Sequence, residues 1–323
     1  MVKKSTKENK SPEQCFLQLL SAGLWKKEPS TEGFPLTADE WEAVLQLSLR
    51  QAVFGIIYDG MSLLPSSLLP PEEAMKKWQQ YIQSTEHHYL SHFRMLNYLL
   101  VRYEIEGGIQ PVLLKGIGLS SYYPDIRRRA CGDIDLFFVG DEKAEQANRL
   151  AEKWGLKVER GLHGESNYTV KNVLVEIHGR LLHQRSPFIK KKTKQQLYTA
   201  LENGEAFCLR DIEGVPVRVL QPLYNNLLLT THSLKHVLNE GIGMRQLCDV
   251  AMFLKAEQKH VDAEAFRQLL NDWGVEQWGN LTYAFCVKVL GMPESLLPYP
   301  IDIDRYDTDL LLEEVWRTGN FGE

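Results

Sequence analysis

The sequence is short of several things, and each shortage closes a class of function. Cysteine is scarce: five in 323 residues, at 15, 131, 208, 248 and 286, widely scattered and with no CxxC pair. Such spacing supports neither a disulfide framework nor a zinc knuckle, and it suits a reducing, cytoplasmic setting. No apolar run approaches the roughly 20 residues that cross a bilayer, so no membrane partner is expected. Basic charge has no surplus: 37 Lys and Arg stand against 42 Asp and Glu, a net charge of −5. A broad electrostatic grip on a long nucleic acid is therefore not expected, although a local basic pocket is compatible with that balance. Residues 1–11 are rich in Lys and Ser with no apolar core behind them, and read as a frayed tail. Internal repeats and low-complexity linkers are also missing. What remains, 44% hydrophobic and 24% charged, is an ordinary globular composition, long enough to bury a large core.

Three stretches follow the tail. Residues 12–108 read as helical. Thr37 and Glu40 have capping-box spacing ahead of a stripe of Trp41, Val44, Leu45, Ala52 and Ile56, and a long helix from about Glu72 ends at Gly107-Gly108. Residues 109–220 change character. A short strand at 111–114 ends at Lys115-Gly116, a helical start reaches Tyr122, and the basic run Arg127 to Arg129 precedes a second strand at 134–139. An amphipathic helix over 142–154 comes next, then strands at 168–170 and 173–178 around a hairpin turn at Lys171-Asn172. From 221 to 323 helical periodicity returns, with helices at 223–238, 244–257, 263–273 and 276–290 and a loosely patterned acidic end after Pro300. The fold class is α+β: a mixed β-sheet core with helices, flanked by helical regions on both sides.

The chemistry lies in the middle stretch. In Gly132-Asp133-Ile134-Asp135-Leu136, alternation across a strand puts both carboxylates on one face and both apolar residues on the other. Two neighbouring carboxylates repel, and a hard divalent cation such as Mg²⁺ relieves that repulsion; a solvated strand end is the plainer reading. In Val173-Leu174-Val175-Glu176-Ile177-His178 the branched residues share one face, leaving Glu176 and His178 on the other. A third acid on a neighbouring strand would complete a site for one or two cations. Upstream, the Lys115-Gly116 junction offers free backbone N–H groups, a close approach and a point charge, with the Ser120 and Ser121 hydroxyls behind it. Arg129, four residues before Asp133, would balance the acids or hold a triphosphate.

These residues carry a family resemblance. LLKGIGLSSYYPDIRRRACGDIDLFF followed by VEIHGRL is similar to an uncharacterised bacterial nucleotidyltransferase family of the DNA polymerase β-like superfamily. That family's pattern runs LKG, YP, R-x-x-GDIDL and then an E-x-H strand. The likeness is closest over about 110–183, with His232, His236 and Arg245 to Asp249 resembling the family's C-terminal helical signature. It implies that Asp133, Asp135 and Glu176 hold Mg²⁺ or Mn²⁺, with Glu176 alternatively activating the acceptor hydroxyl. Lys115, Gly116, Ser120, Arg129 and His178 would meet the nucleoside triphosphate. Lys115-Gly116 stands where other superfamily members place a Gly-Ser turn, which is a departure. The implied reaction moves a nucleoside monophosphate to an acceptor and releases pyrophosphate, and the acidic balance favours a small-molecule, sugar or protein acceptor. A nucleotide-binding regulatory module without turnover and a metal-dependent phosphohydrolase are the rival readings.

Weaker candidates surround this set. His232 and His236, spaced i, i+4, share a helix face without the glutamate of a zinc HExxH motif. With Arg245 they would line an acceptor pocket, or Arg245 would form an i, i+4 ion pair with Asp249. His87, His88 and His92 read as surface, and Lys190 to Lys192 as a solvated loop.

Overall fold

Helix ends form where polar side chains can take up free backbone N–H groups. Ser11 and Gln14 make a capping box that opens α1 (Pro12–Trp25), and Thr37 with Glu40 makes another at α2 (Ala38–Arg50). The structure, a computed structural model, describes residues 11–161, 164–182, 189 and 191–320, so the expected tail at 1–11 lies, but for Ser11, outside the described residues. The stripe expected to run from Trp41 to Ile56 is divided, because Ala52 has φ 54° and α3 (Phe54–Met61) starts afresh. α4 (Glu72–Gly107) then runs 36 residues to Gly108, whose φ of 62° supplies the left-handed stop that glycine permits.

The sheet follows. In chain order come β1 (Val112–Leu113), α5 (Lys115–Ser120), β2 (Asp133–Phe137), α6 (Asp141–Lys153), β3 (Glu159–Arg160), β4 (Glu165–Val170) and β5 (Val173–His178). They are followed by α7 (Lys191–Glu202), β6 (Phe207–Ile212) and β7 (Val215–Leu220). Across the sheet the order is β3-β4-β5-β2-β1-β7-β6. β2 runs parallel to β5 and β1 to β7, and the other pairs are antiparallel, so the sheet is mixed as expected. Lys171 and Asn172 both take positive φ (47° and 64°), which suits a two-residue hairpin turn. Lys191 and Lys192 open α7 instead of lying in a loop, and Lys190 lies outside the described residues.

α8 (Pro222–Asn239), α9 (Met244–Glu257), α10 (Ala263–Asp272) and α11 (Glu276–Lys288) match the expected helices. The acidic end holds one more, α12 (Thr308–Thr318), capped by the Asp307 side chain accepting from Leu310 N–H. No helix among the described residues is long and apolar enough to cross a membrane.

Two cores sandwich the sheet. On one face Ile134, Leu136, Val175 and Ile177 pack with Leu96, Leu99 and Tyr103 of α4 and Ala147 of α6. On the other, Val112, Phe137 and Leu220 join a cluster that runs through α1–α3 and α8–α12. Burying each branched side chain is worth roughly 1.5–3 kcal/mol, and a one-residue slip would turn Asp133 and Asp135 into the first core, so the register is held. Buried Gln51 joins the helical stretches from both ends of the chain: its Nε2 donates to Val315 O and its Oε1 accepts from Met244 N, both at 2.8 Å.

Candidate active site

A cavity of about 560 Å³ lies between the carboxylate face of the sheet and helices α8 and α9. Strand register builds its floor. Asp135 on β2 is the direct neighbour of Glu176 on β5, and Phe137 of His178. Ligand atoms of Asp135, Glu176 and His178 all fall within 4.8 Å of one another, and Asp133 lines the same cavity one pleat away. His178 Nε2 is 2.9 Å from Asp135 Oδ1 and 3.6 Å from Glu176 Oε2. Glu165 of β4, in register with His178, adds a further carboxylate to the lining. Its signal in the sequence was a lone acid at a strand start, too common to single out.

The charges act on one another. Burial and then the Asp135 carboxylate push Asp133 up, and burial with Asp135 and Asp133 does the same to Glu176. Asp135 goes the other way. Burial opposes its ionisation, but the Lys115 ammonium and a hydrogen bond with His178 hold its carboxyl well below the usual range. Lys115 Nζ sits 3.0 Å from Asp135 Oδ1 and 3.1 Å from His232 Nε2, so it bridges the sheet to α8. Burial disfavours that ammonium, and the Asp135 charge more than compensates, leaving Lys115 raised.

Gly116 shapes the rim. Its φ of 49° breaks α5 after one residue, and a Cβ there would stand 3.2 Å from both Asp133 O and Cys131 Sγ. Its carbonyl accepts from Ser120 Oγ (3.2 Å) and from Arg129 Nη1 (3.1 Å). Ser120 is thus turned into its own turn and does not reach the cavity lining. Arg129 is buried in a fork-to-fork pair with Asp249 of α9, at 2.6 and 2.8 Å, and Tyr123 Oη donates to the same carboxylate at 2.7 Å. Its guanidinium fastens α9 to the Gly116 turn.

Arg245 and Asp249 do not pair with each other, because Asp249 is taken by Arg129. Arg245 lines the cavity and donates through Nη1 to Ala130 O at 3.1 Å. Burial and the nearby Arg129 lower its affinity for a proton. His232 and His236 also face the cavity, their rings 4.4 Å apart in an edge-on contact, and burial pushes both below the usual histidine range. His87 and His88 are exposed, but His92 is buried, with Nε2 3.4 Å from Gly132 O and Nδ1 2.8 Å from His88 O, so it packs beneath the Asp133 strand and not at the surface.

The donor set fits a divalent cation: crowded carboxylates, two of them raised by burial and then by mutual repulsion, with an imidazole alongside. Asp133, Asp135, Glu176 and His178 are the residues that would hold it. A family model described as an uncharacterised nucleotidyltransferase matches residues 37–291 and so takes in all of these side chains. Among solved structures, an antigenic nucleotidyltransferase-like protein from Paracoccidioides brasiliensis is similar at 12% identity with a TM-score of 0.36, over 65% of this chain and 98% of that one. No curated protein matches the chain.

Proposed function

The chain belongs to the family of uncharacterised nucleotidyltransferases, and from that premise we propose that it moves a nucleoside monophosphate from a nucleoside triphosphate to an acceptor oxygen. The observation that carries the reading is the convergence of Asp135, Glu176 and His178 within 4.8 Å, beside Asp133 and at the floor of the cavity. In the reaction, the acceptor oxygen forms a bond to the α-phosphorus while the bond from that phosphorus to the bridging oxygen of pyrophosphate breaks. Glu176, raised by burial and its acidic neighbours, is suited to take the acceptor's proton. Lys115 would neutralise phosphate charge, and the Gly116 turn would admit a phosphate closely. Mg²⁺ or Mn²⁺ held by the carboxylates would supply charge neutralisation for the triphosphate. The acceptor's class, a small molecule, a sugar or a protein, is favoured over a long nucleic acid by the net charge of −5.

One observation favours a second reading. Because Lys115 Nζ already pairs with Asp135, it would take a cation's place in a nucleotide-binding module that does not turn over. Incubation with Mg²⁺, labelled triphosphates and cell extract separates the two. Pyrophosphate release with label transfer supports the transferase, and binding without release supports the module. Inorganic phosphate or free monophosphate without transfer would show hydrolysis instead. Asp133→Ala with Asp135→Ala should abolish metal-dependent nucleotide binding; a double variant that binds like wild type would remove the site assignment.

A further inference from the structure

The last residues of α12 and the stretch that follows it are tied down tightly against the cavity. Thr318 Oγ1 donates to Ile242 O at 3.2 Å, Arg50 Nη2 to Arg317 O at 2.7 Å, and Asn320 N–H to Arg50 O at 3.0 Å. Gly243 fits closely beneath, since a Cβ there would stand 2.6 Å from Asn320 Cα. All this fixes the Asn320 side chain in place. Asn320 is 3% exposed and lines the cavity, yet neither Nδ2 nor Oδ1 has a hydrogen-bond partner among the described residues. Arg245 Nε, in the same lining, is equally without one. Leaving a buried donor or acceptor unmade costs about 1–3 kcal/mol each, which a bound ligand would recover.

The chemistry of the orphans selects the ligand. An anion would satisfy the two donors and leave Asn320 Oδ1 facing negative charge. An apolar group would satisfy none of them. A nucleobase edge presents a donor and an acceptor side by side at the spacing of a carboxamide, and so satisfies both ends of Asn320. Leu181, Leu182, Leu228 and Leu229 in the same lining offer apolar surface to a flat ring.

We propose that Asn320 reads the hydrogen-bonding edge of the triphosphate's base and is a specificity-determining residue of the nucleotide site. The proposal rests on the nucleotidyltransferase reading and adds to it, because Asn320 lies beyond the family-matched stretch of 37–291. Base choice would then be set by the short stretch that follows α12 and not by the sheet.

The test is equilibrium binding of the four nucleoside triphosphates with Mg²⁺ to the full chain. Wild type should prefer one base by about tenfold or more, the size of one good bidentate contact. Asn320→Ala should weaken that nucleotide by about tenfold to a hundredfold and bring the four within about threefold of one another. Asn320→Asp, which offers two acceptors and no donor, should shift preference towards guanine, whose N1–H and N2–H₂ present adjacent donors. Because a buried variant can fail to fold, wild type is also tested with an analogue of its preferred triphosphate lacking the exocyclic group. The analogue should lose a similar factor, and in Asn320→Ala that loss should vanish. Wild type without base preference, an unchanged preference in Asn320→Ala, or an analogue bound as well as the parent would each overturn the proposal. Metal-dependent binding that remains in those cases leaves the transferase reading standing; wild type that binds no triphosphate at all removes both.

Discussion

The ammonium of Lys115 points at the bare Nε2 of His232, 3.1 Å away, so this imidazole accepts a hydrogen bond where a second proton would otherwise sit. Burial, then Lys115 and His236, hold His232 well below its ordinary value of 6.5. Below that pH the unfolded chain binds more protons at this position than the folded one. The contribution to stability is thus present above 6.5 and lost as pH falls from there towards the depressed folded value. His232→Gln keeps an acceptor and removes the titration. Thermal scans from about pH 7.5 down to about 5.5 should show wild type losing more of its melting temperature than the variant. Parallel curves would exclude His232 as the source.

Lys115 also occupies the carboxylate group that a cation would use, at 3.0 Å from Asp135 Oδ1. Replacing Lys115 with Gln frees that oxygen while removing the charge offered to phosphate. Mn²⁺ binding followed by electron paramagnetic resonance, without nucleotide, should tighten by about threefold to tenfold. Turnover of triphosphate should fall by about tenfold or more. Weaker Mn²⁺ binding in the variant would count against a shared site.

The Arg129–Asp249 fork is buried on both sides, so halving it is worse than replacing it. Asp249→Asn strands a buried guanidinium and should cost about 3–5 kcal/mol in denaturant unfolding. Arg129→Met combined with Asp249→Leu should cost clearly less than that single change. A double variant as unstable as the single one would mean that packing, not charge, sets the loss.

Gly116→Ala places a methyl group 3.2 Å from Asp133 O and Cys131 Sγ on a backbone at φ 49°. The left-handed backbone alone costs roughly 1–2 kcal/mol, and relief of the contact would shift Asp133. Expected are a melting temperature lower by a few degrees and turnover lower by about tenfold or more. Gly132→Ala, where an added Cβ meets nothing within 4 Å, should melt like wild type.

The acid-bearing strands were legible because their apolar partners alternate cleanly: Ile134 and Leu136 on β2, Val173, Val175 and Ile177 on β5. Alternation decides which face a carboxylate takes, and the strand register then decides which acids meet. Two pairings escaped for one physical reason. Asp249 lies near Arg245 in sequence and near Arg129 only in space, 120 residues away, and His92 finds its cover at Gly132, 40 residues away, a distance no local period spans. The β6–β7 hairpin is hidden in the sequence because Arg210 and Asp211 on the edge strand β6, with Arg218 on β7, blur the alternation. α12 was missed because its apolar side chains, Leu311 and Val315 among them, are diluted by charge.

Gln51 bears on how small a working version of this protein can be. Its carboxamide ties α2 to α9 and α12, and the cluster around it takes in Val112, Phe137 and Leu220 from the sheet. Residues 109–220 excised on their own would carry the carboxylates but bare that apolar face to water, and would lose the helix that His232 rides on. The carboxylate-bearing segment is consequently not portable: transplanted into another protein it would need both flanking helical stretches to come with it.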